Sequence, residues 1–361
     1  MIESENLSYP APQQEYKVLV RCFTFNQSKY IEDALNGFVM QQTNFPFVCL
    51  VMDDASTDGE QEVIKQWMEQ ECDMNRAETV DIPTSIVVIV PHKTNITCTF
   101  AFYLLKQNLY GTGDKKMNHV YPWREKCEYE AMCEGDDYWI DPLKLQKQVD
   151  FLEANPEYGM CYTNFDILVQ KTGKIIKSLF TTQSDKYPIT YNSPEEFVYK
   201  KGYVCPPSWL VRRECLIPGN QQIKSLDGTF VMFTHYLCTT KVHGMLDVTV
   251  TYRVLAESAS HSKDYNKMAM RESNLLQTQW ALVDQYNLRQ SLKGECEVLY
   301  YKQRLVQFIL HNDTAQITQA RTIIKNRSVR DRILFALDRI PFGFYLLRFV
   351  YKSRSFLKNL V

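Results

Sequence analysis

Apolar runs alternate with helically spaced apolar residues over the first ninety positions of the chain. Three apolar runs rich in β-branched residues predict strands at residues 17–25, 47–52 and 85–90. Between these runs, apolar residues recur at helical spacing in two segments: Ile31, Ala34, Leu35 and Phe38, then Val63, Ile64 and Trp67. Strands that alternate with helices predict a parallel sheet with right-handed crossover connections. Ser56 or Thr57 is the expected cap of the second helix.

Polar residues follow the predicted strands where they end. The first strand runs into Thr24, Phe25 and Asn26, and the second runs into Asp53 and Asp54. Because ligands bind beyond the carboxyl ends of parallel strands, an aromatic ring and carboxylates are expected at one edge of the sheet. The sequence contains neither GxGxxG nor GxxxxGK[ST], which predicts that side chains and a cation bind any phosphate. The Asp53–Asp54 pair is also compatible with ordinary loop and cap chemistry.

An acidic segment, residues 134–139 (EGDDYW), follows another apolar run. Glu134, Asp136 and Asp137 place three carboxylates within four residues, and such a cluster is costly to desolvate unless it stays solvated or surrounds a cation. Oxygen ligands in a short loop suit Mg²⁺ or Mn²⁺, with substrate phosphates completing the shell. The alternative is an acidic loop before a helix that has Asp141 as N-cap and Pro142 at its first position.

Composition limits the class of protein. The chain has 361 residues, of which 45% are hydrophobic and 13% aromatic, which is typical of a folded protein with a sizeable core. The net charge of −1 predicts no nucleic-acid partner. From Arg321 onward, however, ten Lys/Arg stand against two Asp/Glu, a local excess of eight positive charges. This basic, partly apolar tail predicts either peripheral contact with a membrane or a helical appendage with solvated charges.

Cysteine usage and hydropathy bear on the compartment. Eleven cysteines are scattered through apolar runs without a Cys-x-x-Cys pair, which favours a reducing compartment over a disulfide or zinc framework. The polar, acidic N-terminus does not look like a secretory signal, and no run of 18 apolar residues occurs. We expect a cytoplasmic protein that contacts the inner face of the membrane at most peripherally.

Three segments together carry a family resemblance: residues 18–42 (VLVRCFTFNQSKYIEDALNGFVMQQ), 51–59 (VMDDASTDG) and 133–165 (CEGDDYWIDPLKLQKQVDFLEANPEYGMCYTNF). In their order and spacing the chain resembles the family 2 glycosyltransferases, roughly over residues 16–262 and only loosely over 68–128. The resemblance implies the GT-A fold, a Rossmann-like α/β fold whose mixed, mainly parallel sheet is flanked by helices. It divides the chain into an N-terminal arm (1–15), a GT-A domain (16–264) and a helical, basic C-terminal extension (265–361).

The resemblance also implies a donor site. Phe25, between Thr24 and Asn26, matches the aromatic residue that lies against a uracil-type base, and Asp54 matches the carboxylate that accepts a hydrogen bond from the base N3–H. Asp136 and Asp137 match the metal-binding DxD region, in which one residue contacts the ribose and the other the cation. The expected site residues for the nucleotide sugar are therefore Thr24, Phe25, Asn26, Asp54 and Asp136.

Three further positions take roles from the resemblance. Glu134 stands where the family usually has the first Asp of the metal motif, which keeps the charge and lengthens the side chain. His261 either approaches the diphosphate or metal, or is a surface cap. Asp227, in residues 225–230 (SLDGTF), matches the catalytic base, although Leu226 departs from the usual residue before it.

The implied reaction is inverting transfer of a sugar from a UDP-sugar to a saccharide or lipid-linked saccharide acceptor in surface polysaccharide synthesis, with Mn²⁺ or Mg²⁺. Two departures from the family's pattern, Leu226 before Asp227 and Glu134 in the metal motif, favour an alternative. In this alternative the protein is non-catalytic, keeps the fold and binds a sugar nucleotide or a glycan. A sugar-phosphate nucleotidyltransferase is disfavoured, because residues 23–29 (FTFNQSK) lack the glycine- and arginine-rich loop that such enzymes show after the first strand.

Overall fold

A computed structural model of the chain describes residues 10–109, 115–218, 223–255 and 264–337, together with 339 and 345. The strands are β1 (Tyr16–Thr24), β2 (Phe47–Asp53), β3 (Glu78–Ile82), β4 (Ser85–Pro91), β5 (Cys98–Leu105), β6 (Cys127–Met132), β7 (Tyr138–Trp139), β8 (Tyr158–Val169), β9 (Lys174–Ile176), β10 (Trp209–Arg212) and β11 (Lys241–Val254). The helices are α1 (Ile31–Val39), α2 (Glu60–Glu71), α3 (Lys116–Arg124), α4 (Lys144–Ala154), α5 (Leu179–Thr182), α6 (Pro194–Lys200), α7 (Gly228–Thr239), α8 (Tyr265–Gln285), α9 (Ser291–Leu310), α10 (Thr314–Ile323) and α11 (Val329–Leu337).

All of these strands join one mixed sheet in the order β3-β4-β5-β2-β1-β6-β10-β8-β11-β7, with β9 paired to β8. At its centre β5, β2, β1 and β6 are parallel to one another, and β8 is parallel to β11. The pairings make β1, β2, β3, β5, β6, β8 and β11 run in one direction and β4, β7, β9 and β10 in the other. The α/β fold class with a mainly parallel sheet flanked by helices is therefore confirmed.

The predicted role of the third apolar run is wrong in one respect. Residues 85–91 form β4, but β4 is antiparallel to both of its neighbours, β3 and β5. The parallel partner of β2 is β5, which follows β4 along the chain. A short link joins β4 back to β5 without a helix, and a direct reversal of this kind gives antiparallel pairing.

The central strands are apolar because both of their faces are covered. Every residue of β2 is buried, and Val18, Leu19 and Val20 of β1 are fully buried. Helix α3 contributes Val120 and Trp123 to the hydrophobic cluster that covers one face. Continuous burial explains why these strands lack the alternation of polar and apolar residues that a half-exposed strand shows.

Two predicted helix starts are wrong. Helix α4 begins at Lys144 rather than Pro142, and the Asp141 carboxylate accepts a hydrogen bond from the Leu143 N–H at 2.8 Å. Asp141 thus closes a turn before the helix instead of capping it. Helix α2 begins at Glu60 with Gly59 as its N-cap, so neither Ser56 nor Thr57 caps it. In both helices the N-cap lies two or three residues later along the chain than predicted, at Leu143 for α4 and at Gly59 for α2.

The chain divides into two compact units. The first consists of residues 1–192, 203–222 and 232–258 and contains the sheet. The second consists of residues 193–202, 223–231 and 259–361, and its described part is helical, with Leu305, Phe308 and Ile309 of α9 buried. Within the described ranges, none of the helices combines the length and apolarity needed to cross a bilayer. The predicted domain boundaries stay a prediction.

Candidate functional site

The loops after β1 and β2 are joined by hydrogen bonds. The Asp54 N–H donates to the Thr24 carbonyl at 3.1 Å, and the Asn26 N–H donates to the Ser56 hydroxyl at 2.8 Å. The Asn26 side-chain oxygen accepts from the Thr57 N–H at 2.8 Å, and Asn26 itself has a φ of +56°, a left-handed conformation that asparagine tolerates. Phe25 lies between these anchored residues with 44% of its surface exposed, so its ring is available to a ligand.

Glu60, the first residue of α2, is hydrogen-bonded to residues of both loops. Its carboxylate accepts hydrogen bonds from the Thr24 hydroxyl, the Gln27 N–H at 2.8 Å and the Ser56 hydroxyl at 2.8 Å. Burial raises the pKa of Glu60, while these three donors oppose the rise by stabilising its charge. A buried carboxylate with three donors fixes the geometry of the strand ends.

Asp54 is buried and fully engaged in this structure. One carboxylate oxygen accepts from the Leu109 N–H at 2.7 Å, and the other forms an ion pair with Lys116 at 2.8 Å. The Lys116 ammonium also lies 5.6 Å from the centroid of the Phe23 ring. The carboxylate is therefore oriented by a cation from α3, a pairing that no local sequence pattern predicts.

The acidic loop, residues 134–137, lies against the end of β1. The Gly135 N–H donates to the Phe23 carbonyl at 3.3 Å, and a Cβ added at Gly135 would come within 2.4 Å of the Thr24 hydroxyl. Glycine is therefore required for the backbone to approach this closely. The structure thus brings the Thr24–Asn26 segment, Asp54 and the acidic loop together at the carboxyl ends of β1, β2 and β6.

The electrostatics of the acidic loop disfavour three negative charges. Burial raises the pKa of Asp137 well above its usual range, and repulsion from Asp136 and Glu134 raises it further. Burial also raises the pKa of Asp136 and of Glu134, with Asp136 adding to the rise at Glu134. A bound cation would offset both the desolvation and the repulsion.

Arg253 of β11 anchors this loop from the far side. Its backbone N–H donates to the Asp137 carboxylate at 2.7 Å. Its side chain donates through Nε to the Asp136 carbonyl at 2.8 Å, and its guanidinium pairs with Asp33 at 2.6 Å. Its guanidinium also lies 4.7 Å from the centroid of the Tyr30 ring. Arg253 is buried, so the direction of the acidic loop is held by a rigid arginine.

The donor set suits a cation that relies on its substrate for part of its shell. Across the described ranges, no three His, Cys, Asp or Glu side chains converge into a complete protein metal site. Mg²⁺ and Mn²⁺ sites commonly use one or two carboxylates together with substrate phosphates, which is what Asp136 and Asp137 with Glu134 can offer. The oxygen-only donors of the acidic loop fit such an ion. His261 lies outside the described residues.

Asp227 belongs to the second unit, where its carboxylate pairs with a residue of α8. Arg271 forms an ion pair with one carboxylate oxygen, while the other oxygen is buried without a hydrogen-bond partner among the residues that the structure describes. The preceding residues are held as well, because the Leu226 N–H donates to Asn274 at 2.9 Å and the Thr278 hydroxyl donates to Ser225 at 3.0 Å. Asp227 is thus oriented by its own unit.

Sequence reasoning missed four side chains that shape these sites: Glu60, Lys116, Arg253 and Arg271. Glu60 could have been found, because a glutamate just after the STDG segment stands at the start of a predicted helix. The other three act on residues far away along the chain, and no local pattern marks them.

No protein-family model matches the chain. Protein Rv1520 of Mycobacterium tuberculosis H37Rv is 32% identical over 151 residues, which are 42% of this chain and 36% of the relative, and Mb1547 of Mycobacterium bovis matches equally. The match thus spans about a third of the length of these relatives.

Among solved structures, S. aureus TarS 1–349 in complex with UDP-GlcNAc aligns with a TM-score of 0.54 at 16% identity, covering 94% of this chain and 91% of TarS 1–349. The mannosyltransferase PcManGT from Pyrobaculum calidifontis in complex with GDP-Man and Mn²⁺ aligns with a TM-score of 0.47 at 12% identity, covering 94% of this chain and 88% of that one. The likeness to TarS supports the α/β fold class.

Proposed function

We propose that the protein is a metal-dependent, inverting glycosyltransferase of family 2 type that uses a UDP-sugar. The observation that carries the proposal is the convergence of the Thr24–Asn26 segment, Asp54 and the acidic loop at one edge of the sheet. The fold is similar to that of TarS, whose structure contains UDP-GlcNAc. Fold alone does not define an activity, so the weight rests on these residues.

In the proposed donor site, Phe25 stacks on the base and Asp54 accepts a hydrogen bond from its N3–H. Thr24 and Asn26 line the nucleotide, and Asp136 contacts the ribose or the cation. Phe25 is exposed enough to accept a ring, and Asp54 is already oriented by the Leu109 N–H. Preorganised groups of this kind lose little conformational entropy on binding.

Asp136 and Asp137, with Glu134 and His261, are the residues that we propose to hold Mn²⁺ or Mg²⁺. When bound, such an ion would stabilise the negative charge that develops on the leaving diphosphate. The role of this chain is to fix the direction of the carboxylates, which Arg253 does through the Asp137 side chain and the Asp136 carbonyl.

Asp227 is the proposed general base. An acceptor hydroxyl is a weak nucleophile at neutral pH, so it needs a base within hydrogen-bond reach. As the hydroxyl oxygen attacks the anomeric carbon, the bond to the diphosphate oxygen breaks and Asp227 takes the hydroxyl proton. The free Asp227 oxygen is suited to this transfer, because Arg271 already occupies the other one. Direct displacement inverts the anomeric configuration.

The proposed acceptor is a saccharide or lipid-linked saccharide of a surface polysaccharide. The proposed compartment is the cytoplasm, which is supported by eleven cysteines that are all free thiols. One observation favours the alternative of a non-catalytic sugar-nucleotide or glycan-binding protein: the Asp227 carboxylate is neutralised by Arg271 in this structure.

The first test is calorimetric titration of UDP with and without Mn²⁺. We expect metal-dependent binding in the wild type and its loss in an Asp136→Ala/Asp137→Ala variant. The control is Glu157→Ala/Asp185→Ala, which removes two exposed carboxylates elsewhere in the first unit. Folded wild-type protein that binds no UDP would refute the donor site. Asp227→Asn then separates the two hypotheses, because a transferase should lose turnover on a UDP-sugar and keep UDP binding.

A further inference from the structure

Helix α11 docks on the second unit through one side only. Leu334 and Phe335 are buried, and the Phe335 carbonyl accepts a hydrogen bond from Arg321 at 3.2 Å. Asp331 is also turned inward: its carboxylate accepts hydrogen bonds from the Ser328 N–H at 2.9 Å and from the Ser328 hydroxyl at 2.8 Å. The inward side therefore holds the aromatic ring and the one carboxylate of the helix.

The outward side of α11 combines aliphatic and cationic side chains. Val329 and Ile333, four residues apart, are 74% and 54% exposed. We define the basic face by these two residues and by four exposed cations that are near them along the chain: Lys325, Arg330, Arg332 and Arg339. Among the described residues, none of these four cationic side chains makes an ion pair or a side-chain hydrogen bond. The face thus presents four unneutralised charges around two exposed aliphatic side chains.

We propose that the basic face binds the surface of an anionic bilayer. Long cationic side chains reach lipid phosphates, while Val329 and Ile333 can enter the boundary between headgroups and acyl chains. Charge complementarity selects the partner, because the acidic residue of this helix is sequestered on the inward side. A nucleic acid would satisfy the four cations but would leave the two aliphatic side chains in water, whereas a bilayer interface accommodates both kinds.

None of the residues of the basic face belongs to the proposed donor site, and the inference does not depend on the proposed transferase activity. Binding to vesicles needs no nucleotide sugar, metal or acceptor. The attraction is expected to weaken with salt, since exposed charges more than about 10 Å apart are screened at 0.1 M ionic strength. It is also expected to need both components of the face, since cations supply long-range attraction and aliphatic side chains supply contact.

The test is co-sedimentation of the full chain with vesicles of phosphatidylcholine alone or mixed with phosphatidylglycerol. We expect binding only to the mixed vesicles. Arg330→Gln/Arg332→Gln should lower the partition coefficient roughly twenty-five-fold, at about a factor of five for each cation. Val329→Asn/Ile333→Asn should also lower it without changing the charge. All four side chains are exposed, so thermal unfolding should be unchanged and loss of binding cannot be attributed to misfolding.

The matched control is Lys171→Gln/Lys174→Gln, which removes two exposed cations from the first unit. This variant should bind mixed vesicles like the wild type. Equal losses in the control and the Arg330/Arg332 variant would overturn the proposal, because they would show attraction by total charge. The proposal would also be overturned if Val329→Asn/Ile333→Asn kept its vesicle binding and the protein bound soluble heparin through Arg330 and Arg332. Those two results together would identify a site for polyanions in general. Absence of binding to mixed vesicles at low salt would also overturn it.

Discussion

Arg271 of α8 forms an ion pair with Asp227 that leaves one buried carboxylate oxygen of Asp227 without a hydrogen-bond partner among the described residues. Arg271, Asn274 and Thr278 follow one another at helical spacing, and they hold Asp227, Leu226 and Ser225 in turn. Helix α8, which lies in the predicted helical, basic C-terminal extension, therefore positions the proposed base.

Arg271→Ala should lower kcat about tenfold to a hundredfold with little change in the affinity for UDP. Without the guanidinium, Asp227 can turn away from the acceptor, and small misplacements of a catalytic group are costly. The measurement is steady-state transfer from a UDP-sugar, together with UDP binding by calorimetry. Arg271→Lys should recover part of the rate, because a single ammonium can still pair with one oxygen.

A double-variant cycle distinguishes positioning from a general structural role. If Arg271 acts through Asp227, Arg271→Ala should cost almost nothing further in an Asp227→Asn background. Lys267→Ala removes an exposed cation from the same helix and should leave kcat unchanged. An equal loss of rate from Arg271→Ala in both backgrounds would show that the arginine serves the fold instead.

Asp54→Asn should lower the affinity for UDP by about tenfold to a hundredfold, the range expected when a hydrogen bond to a charged group is lost. The uracil N3–H is a donor that suits a carboxylate, whereas the cytosine N3 is an acceptor that a carboxylate repels. The variant should therefore also narrow the preference for UDP over CDP, measured by competitive calorimetry. An unchanged preference would mean that Asp54 serves only to pair with Lys116.

Gly135→Ala tests the close approach of the acidic loop to β1. The new Cβ would lie 2.4 Å from the Thr24 hydroxyl and 2.6 Å from the Gln27 side-chain oxygen, so one segment must move. We expect a loss of about 1–3 kcal/mol in the free energy of unfolding and weaker metal-dependent UDP binding. Urea denaturation and calorimetry measure the two effects.

Gly294→Ala is the matched control, because the space around its added Cβ is open and the residue lies within α9. Alanine favours a helix over glycine by about 1 kcal/mol, so this variant should be neutral or stabilising. If Gly135→Ala behaves in the same way and keeps its UDP binding, the acidic loop does not approach Thr24 as described.

The central fold could be predicted from the sequence because a strand that is buried on both faces has a continuously apolar sequence. The runs that form β1 and β2 are continuous and apolar, and their ends are adjacent, since the Asp54 N–H donates to the Thr24 carbonyl. The direction of β4 could not be predicted, because an antiparallel and a parallel buried strand have the same composition. Its direction depends on the short link to β5, whose lack of a helix is visible only in the structure.

The partners of the site residues could not be predicted for a different reason. The Arg253 guanidinium donates a hydrogen bond to the Asp136 carbonyl, 117 positions away, and nothing in the sequence near either residue indicates the pairing. Lys116 lies in a stretch that resembles the family only loosely, yet it neutralises Asp54. Local patterns identify acidic residues at strand ends, whereas the cations that orient them are brought there by the topology.

Lys144 offers a test of the core around Trp139. Its side chain is fully buried, its ammonium donates to the Gln148 side-chain oxygen at 2.7 Å and lies 4.3 Å from the centroid of the Trp139 ring, and no carboxylate pairs with it among the described residues. Burial lowers the pKa of Lys144 to about 7. In the folded protein, burial therefore favours the neutral amine of Lys144 over its ammonium form.

In the unfolded chain the same amine titrates near its ordinary pKa of about 10.4. Between that value and the folded pKa of about 7, the unfolded state binds more protons than the folded state, so the free energy of unfolding rises with pH. Below pH 7 both states are protonated, and this contribution no longer changes. In the isosteric Lys144→Met variant the rise is absent, because methionine does not titrate.

Lys144→Met should therefore be more stable than the wild type at pH 7, and its advantage should shrink by about 1 kcal/mol per pH unit as the pH rises toward about 9. Urea denaturation of both proteins at several pH values measures the difference, in which the other titrating groups cancel. Lys171→Met, at an exposed position, should show no such trend. A constant difference between wild type and Lys144→Met would mean that Lys144 keeps an ordinary pKa, and hence that water or an anion reaches its ammonium in the core.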